Sequence, residues 1–267
     1  VSIVTPIHLH VPLAKIFAEK GIHIICDKPI GMSSEEAIDL KKVIESKKLI
    51  FALTHNYTGY PMVRHARSLV QKGDLGSLRV IQAEYPQDWL TKKAEDSGLK
   101  QAEWRTDPNR SGAGGCIGDI GTHAYNLIRF ITGLEVDEIS ADIHTFVEGR
   151  KVDDNAQIML RFKGGAKGSI WSSQVAVGNE NNLKIRRYGE NAGIEWRQED
   201  PNYLSYTKFG NPSQNITRGS NITSDEAKNV TRIPQGHPEG YLEGFANIYS
   251  DVYKELSANI DLSLIHI

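Results

Sequence analysis

Long hydrophobic runs are missing from this chain. No stretch of the 267 residues is apolar and long enough to span a bilayer, and no leader pattern opens it. Cysteine is scarce. Cys26 and Cys116 stand alone and far apart, which excludes a disulfide framework and makes the cytoplasm the expected compartment. An excess of either charge is missing too, with 31 Lys and Arg against 33 Asp and Glu. No electrostatic footprint for nucleic acid or an anionic membrane follows from that balance. No P-loop occurs. Gly112, Gly114, Gly115, Gly118 and Gly121 never make G-x-G-x-x-G, and they follow a polar segment instead of a strand. There is no internal repeat. Four N-x-S/T sequons, at Asn56, Asn215, Asn221 and Asn229, read as chance matches where no secretory signal accompanies them. What is present is an ordinary globular composition at a length where one core stops growing, so about two domains are expected.

Residues 1–31 read VSIVTPIHLHVPLAKIFAEKGIHIICDKPIG. A short apolar run is broken by Thr5-Pro6. A helix over about 10–20 then places Val11, Ala14, Phe17 and Ala18 on one face, and Gly21 stops it. Ile22–Cys26 is a second apolar run, ending at Asp27, Lys28 and Pro29. A capping box, Ser33 to Glu36, opens the next helix, with Ala37, Leu40, Val43 and Ile44 as its stripe. The segment Ile50–Thr54 is strand-like. The order β-α-β-α-β over 1–56 implies right-handed crossovers and a parallel sheet. It reads as the middle of a doubly wound domain whose opening strands lie ahead of Val1.

Beyond 56 the pattern changes. Pro61 suits the first position of a helix whose face is Val63, Ala66, Leu69 and Val70, with Gly73 as its stop. Leu78–Tyr85 is a strand, and 86–112 reads as a long irregular loop. A helix over 115–132 turns Ile117, Ile120, Ala124, Leu127, Ile128 and Ile131 inward. Strand candidates at 137–147, 155–163, 167–177, 183–188 and 192–197 predict an α+β domain with a largely antiparallel sheet. Its two-sided apolarity suggests one face under helices and the other against a second subunit. Residues 208–238 read as loop. A last helix over 239–257 puts Leu242, Phe245, Ala246, Tyr249, Val252 and Leu256 on one face. The final LSLIHI reads as a clipped element or as non-native sequence.

Several residue sets carry chemistry. Lys28 at a strand end is either a solvated lysine in a βα turn or a fixed ammonium that stabilises negative charge on a reacting oxygen. Asp119 and His123 are four apart, so on an α-helix they share a face. The pair is either an ordinary surface contact or a base with a carboxylate that orients it. With Lys28 it supplies a cation, a base and an orienting group, a set suited to alcohol oxidation. The glycines at 112–121 let a helix start approach a ligand or another backbone closely. His8 and His10 form an H-x-H that a metal hydrolase would use. His237 precedes the last helix. Trp104-Arg105 and Gln87-Asp88-Trp89 lie in the long loop, where aromatic and polar groups bind sugars or nicotinamide, or simply cover a core.

These residues together resemble the Gfo/Idh/MocA oxidoreductases, named for glucose–fructose oxidoreductase and inositol dehydrogenase. Thr5-Pro6 and His10 resemble that family's T-P-N-x-x-H turn, with Ile7 for Asn. Asp27-Lys28-Pro29 resembles its E-K-P signature, with Asp for Glu. GDLGSL at 73–78, WRTDP at 104–108, GGCIGDIGTH at 114–123 and GHPEGYLEGFANIY at 236–249 are similar to later family segments. Asn126 falls where many members have another acid. The resemblance covers about residues 1–257. It implies the C-terminal part of a Rossmann dinucleotide-binding domain over 1–56. An α+β substrate and oligomerisation domain with an open sheet would occupy 57–267. It also implies a chain truncated at the N-terminus and at the C-terminus.

The resemblance implies an NAD(P)-dependent dehydrogenase of a sugar or cyclic polyol, with Lys28, Asp119 and His123 as the catalytic set and Asp119 orienting His123 or a neighbouring substrate hydroxyl. Thr5, Pro6, His10, Asp27, Lys28, Trp104 and Arg105 would bind NAD or NADP. Lys28, Gln87, Asp88, Trp89, Asp119, His123 and His237 would bind substrate. A homo-oligomer, dimer or tetramer, is expected, with no metal, nucleic acid or membrane partner. The rivals are a non-catalytic relative that binds a sugar or a partner, and the metal-dependent hydrolase using His8 and His10.

Overall fold

The computed structural model describes residues 1–258. Its first part is a three-stranded parallel sheet. Strand β1 (Ser2–Ile3) pairs with β2 (Ile24–Cys26), and β2 pairs with β3 (Phe51–Leu53). Helices α1 (His10–Glu19) and α2 (Ser34–Ser46) make the crossovers. The Ser33 hydroxyl accepts the Glu36 N–H, as the capping pattern requires. Ile3, Val11, Ala14, Ala18, Ile24, Cys26, Leu40, Ile44 and Phe51 form the core of this layer. The carboxyl ends of β1 and β2 leave Thr5 and Asp27–Lys28 on the same edge.

Helix α3 (Pro61–Gln71) starts at Pro61 and ends before Gly73, whose φ of 79° only glycine adopts cheaply. Strand β4 (Leu78–Pro86) follows. The segment 86–112 is not irregular throughout: it folds into α4 (Lys100–Arg105) and α5 (Pro108–Ser111), the latter capped by the Asp107 carboxylate. The helix expected over 115–132 is two pieces. A π turn spans Ile117–Gly121, with the Thr122 N–H reaching back to the Ile117 carbonyl, and α6 (Thr122–Thr132) continues it.

The second sheet contains β4 and seven more strands: β5 (Val136–His144), β6 (Asn155–Phe162), β7 (Lys167–Ser173), β8 (Lys184–Gly189), β9 (Ala192–Arg197), β10 (Tyr203–Lys208) and β11 (Gln214–Thr217). Their order is β11-β10-β9-β8-β4-β7-β6-β5, and all pairs are antiparallel except β4 with β7. Helices α3 and α6 cover one face. Val63, Ala66, Leu127 and Ile131 pack there on Ile81, Ile158, Leu160, Ile185 and Ile194. The other face is open and carries exposed Val80, Met159 and Tyr188.

The expected loop at 208–238 contains β11 and a helical turn, α7 (Asp225–Lys228). The last helix, α8 (Tyr241–Ala258), buries Gly244, Asn247 and Val252, and Leu242 is 75% exposed. Its rotation differs from the expected stripe because glycine meets glycine. A Cβ added to Gly59 would lie 2.2 Å from the Gly244 carbonyl oxygen. That backbone contact, and the Asn247 amide donated to the Gly59 carbonyl, fix which side of α8 faces inward. LSLIHI lies outside the described residues.

Candidate active site

Lys28 follows the end of β2 and reaches the turn that precedes α6. Its Nζ donates to the Asp119 Oδ1 at 2.8 Å and to the Asp119 carbonyl at 2.5 Å. The neighbouring Asp27 is held in place, its Oδ1 accepting from the Lys28 N–H and the Thr54 hydroxyl. The Lys28–Pro29 peptide is cis.

Asp119 sits in the π turn, and Asp153 anchors that turn. One carboxylate oxygen of Asp153 accepts the Gly115 N–H and the other accepts the Ile117 N–H and the Cys116 thiol. A Cβ at Gly115 would lie 2.0 Å from the Asp153 carbonyl oxygen, so the glycine allows a close backbone approach. A π turn holds more residues than an α turn. Positions 119 and 123 are therefore rotated apart, and the expected Asp119–His123 pairing is not formed. Asp119 instead meets Lys28, the Gln174 amide at 3.0 Å and Arg105 Nε at 3.3 Å. Burial works against its charge, but Lys28 and Arg105 outweigh it and hold the carboxyl below its ordinary range.

His123 is buried in an aromatic cage. Its ring lies edge-on to Tyr57 at 4.8 Å and to His55 at 5.6 Å, with Tyr85 at 6.2 Å. Nδ1 is sealed from solvent with no partner. The ring's other nitrogen is the one left to meet a ligand. Burial first, then the Lys28 ammonium and the His55 ring, push its pKa far below the usual imidazole range. His123 is thus a neutral imidazole. His55 is lowered to about 4, by burial and then by Lys28.

The other expected site residues divide. Arg105 stacks on Trp104 at 4.4 Å and faces Trp89 at 6.0 Å, so these three stand beside Asp119. Gln87 accepts from the Trp89 indole and donates to Asn181. Asn181 also accepts from the Tyr85 hydroxyl, and Tyr85 is hydrogen-bonded to Tyr57 at 2.6 Å. Gln87 and Trp89 thereby join the network behind the His123 cage. Asp88 turns away to accept the Gly178 N–H. His237 is exposed in a loop where its carbonyl takes the Arg218 guanidinium, and none of its contacts reaches Lys28, Asp119 or His123.

His10 cannot be half of a metal pair. Its Nδ1 lies 2.8 Å from the Pro29 carbonyl and its Nε2 lies 2.7 Å from the Thr5 carbonyl, so both ring nitrogens are taken. The ring ties β1 to the Lys28 turn, which overturns the hydrolase alternative. No group of three or more potential ligands gathers anywhere among the described residues. No described helix is long and apolar enough to cross a membrane. Sequence reasoning missed His55, Tyr57, Tyr85, Gln174 and Asn181. Only Thr54-His55, just past a parallel strand end, carried a usable signal.

Residues 63–195 match the GFO/IDH/MocA C-terminal domain, and residues 1–55 match the oxidoreductase family with an NAD-binding Rossmann fold. The crystal structure of an oxidoreductase from Sinorhizobium meliloti is 49% identical, covering 96% of this chain and 68% of that one, with a TM-score of 0.85. An inositol dehydrogenase homologue from Azotobacter vinelandii, complexed with NAD+, gives a TM-score of 0.92 at 28% identity over 99% of this chain and 70% of that one. It has also been solved with NADH and myo-inositol. Levoglucosan dehydrogenase of Pseudarthrobacter phenanthrenivorans is 30% identical over 222 residues, 74% of this chain and 55% of its own length. Levoglucosan dehydrogenase has been solved with NADH and levoglucosan. The chain spans about six-tenths of the length of the first curated relatives it matches, 61% and 55%. A parallel Rossmann layer joined to an open mixed sheet, with these matches across both, places the chain in the Gfo/Idh/MocA oxidoreductase family.

Proposed function

We propose that this protein is an NAD(P)-dependent dehydrogenase that transfers a hydride between a hydroxyl-bearing carbon of a sugar or cyclic polyol and nicotinamide. The observation that carries the reading is the Lys28–Asp119 ion pair at 2.8 Å, whose ammonium also acts on the buried, neutral His123. The relatives solved with myo-inositol and levoglucosan supply the substrate class.

The residues fit a dinucleotide at the carboxyl edge of the parallel sheet. Thr5 Oγ1 at the end of β1 is sealed and lacks a partner. With Pro6, Asp27 and Lys28 it would hold the nicotinamide end, and Trp104 and Arg105 would close the same side. His10 serves that end by fixing the Thr5 and Pro29 carbonyls. A dinucleotide held there would supply the hydride acceptor for an alcohol carbon that becomes a carbonyl. His123 takes the hydroxyl proton at its free ring nitrogen. Lys28 stabilises the negative charge growing on that oxygen. The same cation that weakens His123 as a base also acidifies the alcohol, so the two effects partly offset. Asp119 keeps the Lys28 ammonium aimed at the oxygen. Trp89 and Gln87 would line the substrate side.

We further propose the division at 56/57, and a homo-oligomer formed through the open sheet face. The test of the main reading is His123→Ala in the full-length protein. Turnover should fall on the order of a hundredfold to ten-thousandfold, with nicotinamide affinity little changed by calorimetric titration. An unchanged rate on a confirmed substrate would move the base elsewhere.

A further inference from the structure

We propose that Gln174 is a positioning residue of this site: its side-chain amide locks the Asp119 carboxylate in the orientation that holds Lys28. The proposal rests on the dehydrogenase reading above and adds to it a residue outside the Lys28, Asp119 and His123 set.

Asp119 has two oxygens and three candidate donors. Oδ1 takes the Lys28 ammonium at 2.8 Å, and Oδ2 takes the Gln174 amide at 3.0 Å. Arg105 Nε also comes within 3.3 Å of Oδ2, but off-line, and it makes no hydrogen bond. An arginine beside a carboxylate favours a two-pronged pairing with both oxygens. Such a pairing here would draw Oδ1 from Lys28 toward Arg105. The Gln174 amide occupies Oδ2 from the sheet side and blocks that rotation. A neutral donor does so without adding a third cation or a second anion.

Gln174 is itself built in. It is 2% exposed, just past the end of β7. Its backbone N–H donates to the Asp154 carbonyl and its carbonyl accepts the Leu90 N–H. Strand alternation turns its neighbours Ser173 and Val175 toward a groove beside Trp171, on the open face of the sheet. The amide thus arrives at Asp119 from a buried position whose backbone N–H and carbonyl are both tied down. It is one of the groups that hold the Asp119 carboxyl below its ordinary range.

The test uses the full-length protein, unaltered and as Gln174→Leu and Gln174→Glu. Two readouts are taken: the pH dependence of kcat, and the titration of the Asp119 carboxyl by NMR in protein carrying 13C-labelled aspartate. Asp119→Asn identifies the signal. With Gln174→Leu, the acid limb of kcat and the carboxyl titration should both move up by about one pH unit. With Gln174→Glu, two carboxylates must share a proton, and the shift should reach about two units. Substrate KM should change less than kcat in both. A carboxyl titration that stays where it is in both variants overturns the proposal, even if the rate or melting temperature falls, because Gln174 would then only fill space. Absence of turnover in the unaltered protein on any sugar or polyol would sink the dehydrogenase reading, and the carboxyl titration would still decide the role of Gln174.

Discussion

Mild acid should unfold this protein through its buried imidazoles. His65 on α3 is 3% exposed, its Nδ1 accepts the Ser224 N–H at 3.1 Å, and its Nε2 is sealed without a partner. Adding a proton to Nδ1 would break that bond and bury a charge. His55 beside the Lys28 ammonium has a sealed Nδ1 of its own. Burial lowers both to about 4, helped by Lys28 at His55 and by Lys72 at His65. In the unfolded chain a histidine titrates near 6.5. Between those values the unfolded state binds more protons, so stability is complete above about pH 6.5 and falls as pH drops toward 4. Integrating proton uptake from pH 7 to pH 5 gives about 2 kcal/mol per ring, or about 4 kcal/mol for the pair. His123 acts in the same direction. Asp119, held low, loses its contribution only below the ordinary carboxylate range and stays out of this window. A domain of ordinary stability has roughly 5–15 kcal/mol to lose. Urea unfolding at pH 7 and pH 5 measures the difference directly, and His55→Phe should shrink it by about 2 kcal/mol. A difference under about 1 kcal/mol, or one that His55→Phe leaves intact, would refute the reasoning.

Two further outcomes follow from packing. Arg187 on β8 is 1% exposed between Ile81 and Ile194, its Nε and Nη2 have no partner, and burial alone lowers its pKa. Replacing it with an apolar side chain of similar volume, Arg187→Met, should stabilise the protein by about 1–4 kcal/mol in denaturant unfolding, and a loss would show that the guanidinium has a partner it needs. Light scattering should find a dimer or tetramer at micromolar concentration. A monomer would leave exposed Val80, Met159 and Tyr188 without the second subunit proposed to cover them.

Local signals in the sequence carried most of the fold. The Ser33 cap, Pro61 at a first helical turn, Gly73 past a helix end and the alternation of β6 all act within a few residues, so each can be read in place. The failures share one property: they depend on a contact with a distant segment. The expected face of α8 holds at Val252 but not at Leu242, because Gly244 meets Gly59, and no hydrophobic periodicity records a glycine crossing. The β11 strand and α7 exist because β10 and α3 offer them surfaces, and their own sequence is polar.

The site shows the same divide. Lys28, Asp119 and His123 could be named because each has reactive chemistry of its own, and the resemblance placed them together. Their pairing could not be read. On a regular α-helix Asp119 would lie beside His123, and only the π turn sends it to Lys28, 91 residues away, and to Gln174, 55 residues away. The consequence is chemical as well as geometric. A carboxylate on His123 would raise its basicity and fix its tautomer. The same carboxylate on Lys28 leaves the imidazole neutral in its aromatic cage and spends its charge on the ammonium. The imidazole and the ammonium are therefore coupled: His123 is held neutral by burial, by the Lys28 charge and by the His55 ring, and Lys28 is held by a carboxylate that Gln174 steadies just past the end of β7. A substitution in the cage should move the behaviour of the imidazole, whereas one at Gln174 should move Lys28 and, through its charge, His123 as well.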